Sequence, residues 1–473
     1  MPVYGNNPVT YLTHRQIGDD ADAQNPTTAE RDQGRAIDLR YLFGILLWPL
    51  LGDPLVPEPA LEQKIDLLMA LAADDREGLP PRLRYTNEVG ALRPLNIRNL
   101  RPAPGMRMSL LRILMTNACS YNCHYCPMRR DRPMPRTLLK PEELVRIFLG
   151  AQQRGWCQGL FITTGIPGRP VKVMDDLIQV LELLRERHLF GGYIHVKLVA
   201  GSETSQIDRL TALASRVSLN FEAPCGKSLA QIAPDKSFST TLHDFERVRS
   251  LVVRERAEQA HGKPRDPLHP GGASGMTMQF VVGATPDTDR SLLDTVSRLK
   301  KHGGVHHPQF SAFRPISDTT MEGVPAAPAL REHRLYQAAH LLGSYGFAPD
   351  EVVYEPGGNL PLALDPKSAW ALAHPELFPV EVQSASYEEL IRVPGIGPVA
   401  ARRVAEQRTA VSLRGLGDLR KLGVVTTRAG GFLTLRGRRL QTTRWTEQLG
   451  FWAPEDEVGT HHVVYQVSPG TFR

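Results

Sequence analysis

From residue 108 onward, short apolar runs alternate with longer stretches whose apolar positions recur three and four residues apart. The runs are MSLLRILMT (108–116), GLFITT (159–164), YIHVKLV (193–199), RVSLNFE (216–222), MTMQFVVG (276–283) and PQFSAFR (308–314). Between them lie PEELVRIFLGAQQ, MDDLIQVLELLRER, SQIDRLTALAS, a longer stretch with LHDFERVRSLVVRERAEQ, and DRSLLDTVSRLKKH. Near-continuous apolar strands separated by amphipathic helices predict a parallel sheet covered on both faces. Six such units over 108–330 predict an α/β fold, a full or partial (β/α)6 barrel, with its chemistry at the C-terminal ends of the strands.

The flanks read differently. Residues 1–35 are rich in Asn, Asp, Gln, Thr and Gly and predict a disordered tail. In 36–107, AIDLRYLFGILLW and LEQKIDLLMALAADD have helical spacing, with no role assigned, and PRLRYTNEVGALRPLNIRNLRPAPG is read as an irregular connection. REHRLYQAAHLLGSYGF then predicts a helix, followed by a Pro- and Gly-rich passage, within 331–383. Over 384–450, Ser386 with Glu389 forms a capping box, VPGIGP makes a tight turn and Pro398 opens a second helix. Residues 451–473 are a C-terminal tail, and no internal repeat is apparent. The apolar run at 41–51 is too short to span a bilayer and is broken by Pro49.

Three of the five cysteines, Cys119, Cys123 and Cys126, follow the first run in the spacing C-x3-C-x2-C. Three thiolates on a strand-end loop can hold three irons of a cubane and leave the fourth without a protein ligand. Zinc is the rival, but structural zinc sites want four ligands, usually as two pairs. Only Cys157 and Cys225 remain, far apart, and His124 would have to turn inward from between two ligands. Five cysteines with three clustered make no disulfide framework, and with no apolar leader they point to a reducing cytoplasm.

Charge adds a second theme. The chain carries +6, yet residues 391–450 hold twelve Arg or Lys against three acids, +9, which leaves −3 for the rest. A basic module on a near-neutral body suggests a polyanionic partner, against the plainer reading of a solvated basic face. Within it, Gly395 and Gly397 flank one apolar residue between two short helices. Such a turn lets backbone N–H groups approach a phosphate, with Arg402 and Arg403 in the first turns of the next helix and Arg408 beyond.

The cysteine spacing, with the aromatic Tyr125 before the last cysteine and a βα unit around it, resembles the radical S-adenosylmethionine (SAM) superfamily over about residues 108–315. The resemblance implies a [4Fe–4S] cluster on Cys119, Cys123 and Cys126, whose open iron binds SAM. Reductive cleavage would give methionine and a 5′-deoxyadenosyl radical that abstracts hydrogen from a substrate. Many members carry a Gly-Gly-Glu-Pro-like turn after the second strand for the cofactor's amino group. Here Thr163, Thr164 and Gly165 stand there, without a glutamate. Lys197, Asn220, Glu222 and Gln279 are polar positions inside apolar runs, either cofactor contacts or outward-facing residues. Tyr125 is a cofactor contact or core filler.

VPGIGPV resembles the helix–hairpin–helix, a sequence-independent DNA-binding element; a protein-docking hairpin is the alternative. Together GLFITTG, GGYIHVKLVAG, SLNFEAP, LAQIAPDKS, MQFVVGATPDTD, SAFRPI, REHRLYQAAHLLGSYGF and LIRVPGIG resemble one family, over about residues 61–432. It comprises the DNA modification or repair radical SAM proteins paired with a uracil-DNA-glycosylase-like protein. Members often carry cysteines ahead of the first strand, and none precedes Cys119 here. The expected architecture is thus a radical SAM barrel followed by a small all-α helix–hairpin–helix domain. The expected partners are DNA, a flavodoxin- or ferredoxin-type electron donor and the glycosylase-like protein. Two rivals remain: a radical enzyme for RNA or a small metabolite, and a non-catalytic DNA-binding iron–sulfur protein.

Overall fold

The structure is a computed structural model and describes residues 64, 65, 67, 68, 71, 97–100, 108–262, 275–305, 308–409 and 412–440. The strands β2 (Met108–Leu114), β3 (Gly159–Thr163), β4 (Tyr193–Lys197), β5 (Arg216–Glu222), β6 (Met276–Val282) and β7 (Gln309–Ala312) lie side by side in chain order. Every pairing among them is parallel. All six apolar runs are strands of one open barrel sheet, as the alternation required.

A further strand, β1 (Ile97–Leu100), pairs antiparallel with β2 and corrects the reading of this stretch as irregular. Four residues, Ile-Arg-Asn-Leu, carry no legible period. They become a strand because the edge of β2 offers them hydrogen-bond partners.

The helices α1 (Pro141–Gln153), α2 (Pro170–Glu182), α3 (Thr204–Leu213), α4 (Gly226–Ile232), α5 (Phe238–Ala260) and α6 (Asp289–Lys300) lie in the crossovers, α7 (Ala329–Ser344) follows the last strand, and they include amphipathic helices with one buried face. α2, for example, buries Val173, Met174, Leu177, Ile178 and Leu181, one stripe at helical spacing. Phe221, Phe280 and Phe310 stack across neighbouring strands with centroids 5.8 and 6.3 Å apart. Tyr336 of α7 meets Phe310 edge-on, and its hydroxyl accepts the Phe310 N–H at 2.9 Å. That contact latches α7 to the last strand.

Within LEQKIDLLMALAADD, residues 64, 65, 67, 68 and 71 are helical. Ile65 and Leu68 sink into the barrel core, and Lys64 Nζ lies 3.3 Å from Glu143 Oε1 of α1. The segment AIDLRYLFGILLW and the tails 1–35 and 451–473 lie outside the described residues. Among the described residues no helix is long and apolar enough to cross a membrane.

A second core, built on Leu390, Ile396, Ala401, Val404, Leu419 and Phe432, forms the C-terminal module. It contains α9 (Tyr387–Arg392), α10 (Pro398–Gln407), α11 (Leu416–Lys421) and α12 (Thr426–Ala429), next to α8 (Pro366–Ala373). The module is not all-α. β8 (Val380–Glu381), β9 (Leu433–Leu435) and β10 (Arg438–Arg439) make a small three-stranded sheet. β9 and β10 join through Arg436 and Gly437, both at positive φ, the signature of a tight two-residue hairpin turn. Strands of two and three residues are too short to show a period.

Candidate active site at the barrel mouth

The loop that follows β2 is tied down by side chains the motif does not include. Asn117 Nδ2 donates to the Pro135 carbonyl at 2.8 Å, and Asn117 Oδ1 accepts the Thr137 N–H at 2.7 Å. Inside this bracket the Arg136 guanidinium donates to the carbonyls of Asn117, Met128, Arg129 and Arg132. One planar, always-charged fork thus gathers four loop carbonyls. The turn after β3 is stitched on beside it: Gly165 N–H donates to Thr116 O at 2.7 Å and Ser120 N–H to Ile166 O at 2.8 Å.

Gly165 is required by this seam. A Cβ there would lie 2.3 Å from the Ala118 carbonyl oxygen. The Thr164 hydroxyl donates to the Gly165 carbonyl at 2.7 Å and is spent on its own turn, while Thr163 is buried at the end of β3.

Cys119, Cys123 and Cys126 line one wall of a cavity of about 780 Å³ at the C-terminal ends of the strands. Tyr125, Thr163, Thr164, Gly165, Lys197, Asn220, Glu222 and Gln279 line the same cavity, so all the polar positions singled out in the sequence converge. Lys197 Nζ donates to Gln279 Oε1 at 2.7 Å. Asn220 Oδ1 is buried without a hydrogen-bond partner among the described residues.

Glu222 reaches the cavity by a backbone irregularity. The register with β6 shifts between Asn220 and Glu222, and Glu222 has φ of 63°. A bulge followed by a left-handed residue re-aims a side chain, and such strain collects at functional sites. Glu222 then meets Lys236, whose Nζ lies 2.6 Å from Oε1. Lys236 was not singled out in the sequence; it sits in a loop, where no periodicity marks a residue as inward-facing.

Burial opposes charge on Lys236, but the Glu222 carboxylate and the Cys123 sulfur more than offset it and hold the ammonium above the ordinary lysine value. The thiols move for the complementary reason. Burial pushes Cys123 up to about 11 and Cys126 up to about 12, the latter against an N–H from Met128 3.4 Å from its sulfur. Burial, then the charge of Glu222, raises the Tyr125 phenol.

The donor set fits a cluster better than zinc. His124 does not turn toward the cysteines; its Nδ1 lies 2.8 Å from the Gln231 carbonyl. Among the described residues no three Cys, His, Asp or Glu side chains form a group able to hold a metal ion. Cubane thiolates sit on different irons and need no common point. Opposite them, a mixed wall of donors and acceptors, with two buried acceptors left over among the described residues, Asn220 Oδ1 and Glu222 Oε2, suits a zwitterionic ligand bearing a sugar.

The family model described as the radical SAM superfamily matches residues 113–254, from β2 into α5. The barrel is a radical SAM domain. That domain belongs to an enzyme superfamily whose cofactors are a [4Fe–4S] cluster and SAM. The chain is 24% identical over 270 residues to 7,8-didemethyl-8-hydroxy-5-deazariboflavin synthase of Methanosarcina mazei, covering 54% of this chain and 71% of that one. Among solved structures, the [FeFe]-hydrogenase maturase HydG aligns with a TM-score of 0.39 and 16% identity, over 49% of each chain. Methylornithine synthase (PylB) aligns with a TM-score of 0.36 and 13% identity, over 49% of this chain and 61% of that one. The chain thus spans about half the length of the HydG chain it matches.

Behind the radical SAM domain, the expected capping box is present: Ser386 Oγ accepts the Glu389 N–H at 3.1 Å and Glu389 Oε2 accepts the Ser386 N–H at 2.7 Å. The turn from α9 to α10 holds Gly395 at φ of 85°. What demands glycine there is a second helical hairpin, α11 to α12, that packs onto the first. A Cβ on Gly395 would lie 2.6 Å from Val425 O, and Gly395 O accepts the Val425 N–H at 2.9 Å. The sequence signal for this second hairpin was Leu-Gly-Val after one short amphipathic turn.

Gly397 caps α10, and Arg402 and Arg403 are exposed on that helix. Other cations of the basic segment are engaged within the fold. Arg392 pairs with Glu351 at 2.7 Å, Arg428 pairs with Asp365, and Arg408 donates to the Val382 and Ala385 carbonyls. The charge available to a partner is therefore smaller than +9.

Lys367 anchors the hairpin from beneath, its Nζ donating to Ile396 O at 2.6 Å. Burial, then the nearby Arg428 charge, brings its ammonium down to about 7 from an ordinary 10.5. Between those values the unfolded chain binds the extra proton, so stability rises with pH across the window. The unfolding free energy of the wild type should climb relative to Lys367→Met between pH 7 and 9, by at most about 1.4 kcal/mol per pH unit, as denaturant titrations would read it. A difference that stays flat with pH would contradict this.

Proposed function

We propose that this radical SAM enzyme acts on DNA, in modification or repair, with Cys119, Cys123 and Cys126 holding the cluster. The observation that carries the cofactor assignment is the single cavity in which three thiols face Lys197, Asn220, Glu222 and Gln279. Bound there, the cluster and SAM supply a 5′-deoxyadenosyl radical for hydrogen abstraction. The chain's own part is positional: Arg136 and Asn117 shape the cysteine loop, the Glu222–Lys236 pair and the Lys197–Gln279 hydrogen bond order the opposite wall, and the apolar Leu114, Val281 and Phe313 exclude water. A flavodoxin- or ferredoxin-type protein would deliver the electron, and a uracil-DNA-glycosylase-like protein is a candidate partner.

The DNA part of the reading rests on the hairpin. Gly395 and Gly397 bound the turn, the α10 N-terminus follows it, and Arg402 and Arg403 stand exposed beside it. The hairpin is set back from the mouth. Glu332 lines the cavity at the start of α7, whereas a Cβ on Gly397 would lie 3.4 Å from the Tyr345 hydroxyl at its end. At about 1.5 Å per residue the two points stand roughly 20 Å apart. A duplex gripped at the hairpin would have to continue about six base pairs, at about 3.4 Å each, to reach the mouth.

Full-length protein is expected to bind duplex DNA with an affinity that falls steeply with salt. Replacing Arg402 and Arg403 by Ala should lower the salt slope by about two. Deuterium appearing in 5′-deoxyadenosine from labelled DNA would identify the substrate directly. Salt-independent or absent duplex binding favours a second reading, in which the hairpin docks a protein and the enzyme acts on a metabolite. Val399 and Val425, exposed beside the two turns, are the observation on that side.

A further inference from the structure

Among the charged side chains that line the cavity, one stands apart. Arg132 donates to the carbonyls of Ser317 and Pro127 at 3.0 and 3.2 Å. Lys197 is held by Gln279, and Lys236 by Glu222. Asp235 Oδ2 accepts the Asn122 N–H at 2.6 Å, and Glu332 Oε2 accepts the Ala312 N–H at 2.7 Å. Arg314 lines the same cavity, is exposed, and has no hydrogen bond or ion pair among the described residues.

Its backbone is nevertheless held on both sides. Phe313 is buried, its N–H donates to Val282 O at 2.9 Å, and its carbonyl accepts the Ala327 N–H at 2.9 Å. Pro315 follows and fixes the exit from the strand. A guanidinium on a fixed stem thus faces a cavity whose other charged groups are already hydrogen-bonded within the fold, with its own donors unspent at the entrance. Its planar fork suits two oxygens of a phosphate.

We propose that Arg314 is a specificity residue that takes a phosphodiester of the substrate at the rim, next to the group that enters the cavity. This rests on the nucleic-acid reading above, and the test separates the two. The probe is the dinucleotide d(TpA), too short to span from hairpin to mouth, offered with SAM to the reconstituted enzyme. Its uncharged methylphosphonate analogue is the control.

Arg314→Gln should weaken d(TpA) binding about tenfold, the range of a charge-assisted hydrogen bond, with partial recovery in Arg314→Lys. The analogue should bind wild type and variant alike. Equal d(TpA) affinity in wild type and Arg314→Gln overturns the proposal. So does a comparable loss of affinity for SAM itself, since Arg314 would then serve the cofactor's carboxylate. Should d(TpA) fail to bind while inorganic pyrophosphate binds in an Arg314-dependent way, the rim assignment holds and the nucleic-acid reading falls. Failure of both probes overturns the proposal. Arg314 is exposed, so its replacement leaves folding intact.

Discussion

Anaerobic reconstitution of the Cys123→Ala variant is expected to yield almost no iron, against about four irons per chain in the wild type. Cys123 is buried in the middle of the loop, packed with Ala223, Val281 and Phe313, so no neighbouring side chain can take its place. With two thiolates remaining, a cubane loses its third protein ligand, and SAM cleavage should disappear with the cluster. Cys157→Ala and Cys225→Ala should keep their iron, because neither residue lines the cavity. Iron content by chemical assay and the cluster's absorption band check both halves. Zinc retained in place of iron would overturn the cluster assignment.

The second large effect concerns Lys236. Replacing it by Met leaves the Glu222 carboxylate buried without its 2.6 Å partner. Breaking a buried ion pair from one side costs about 3–5 kcal/mol, because the surviving charge is left uncompensated in a low dielectric. Glu222→Gln in the same background should recover most of the loss. Thermal midpoints of the four proteins of this cycle, measured without cluster, check it; a Lys236→Met midpoint equal to wild type would show that the pair is not coupled.

The two predictions show which parts of the site could be read beforehand. Cys119, Cys123 and Cys126 were legible because their spacing is local. Lys197, Asn220 and Gln279 were legible as polar interruptions of apolar strands, and the fold gathers them around one cavity. Lys236 and Arg136 were not, since loop positions carry no period and any lysine or arginine there resembles a solvated one. Arg408 misled in the opposite sense: counted as surface charge, it turns inward to satisfy two carbonyls.

By itself the sequence determined the six parallel strands, their order of appearance and the cysteine loop at their C-terminal end. Those features follow from hydrophobic periodicity and short-range spacing, which are properties of neighbours in the chain. Only the tertiary structure decided that Glu222 turns into the cavity through a bulge, that Lys236 meets it there, and that Gly395 is a seat for a second hairpin. It also decided which cations are consumed inside the fold and which, like Arg402, Arg403 and Arg314, stay available. The physical reason is the same in each case. Charge pairing, desolvation and close backbone approach depend on distances between segments, and no local pattern encodes them.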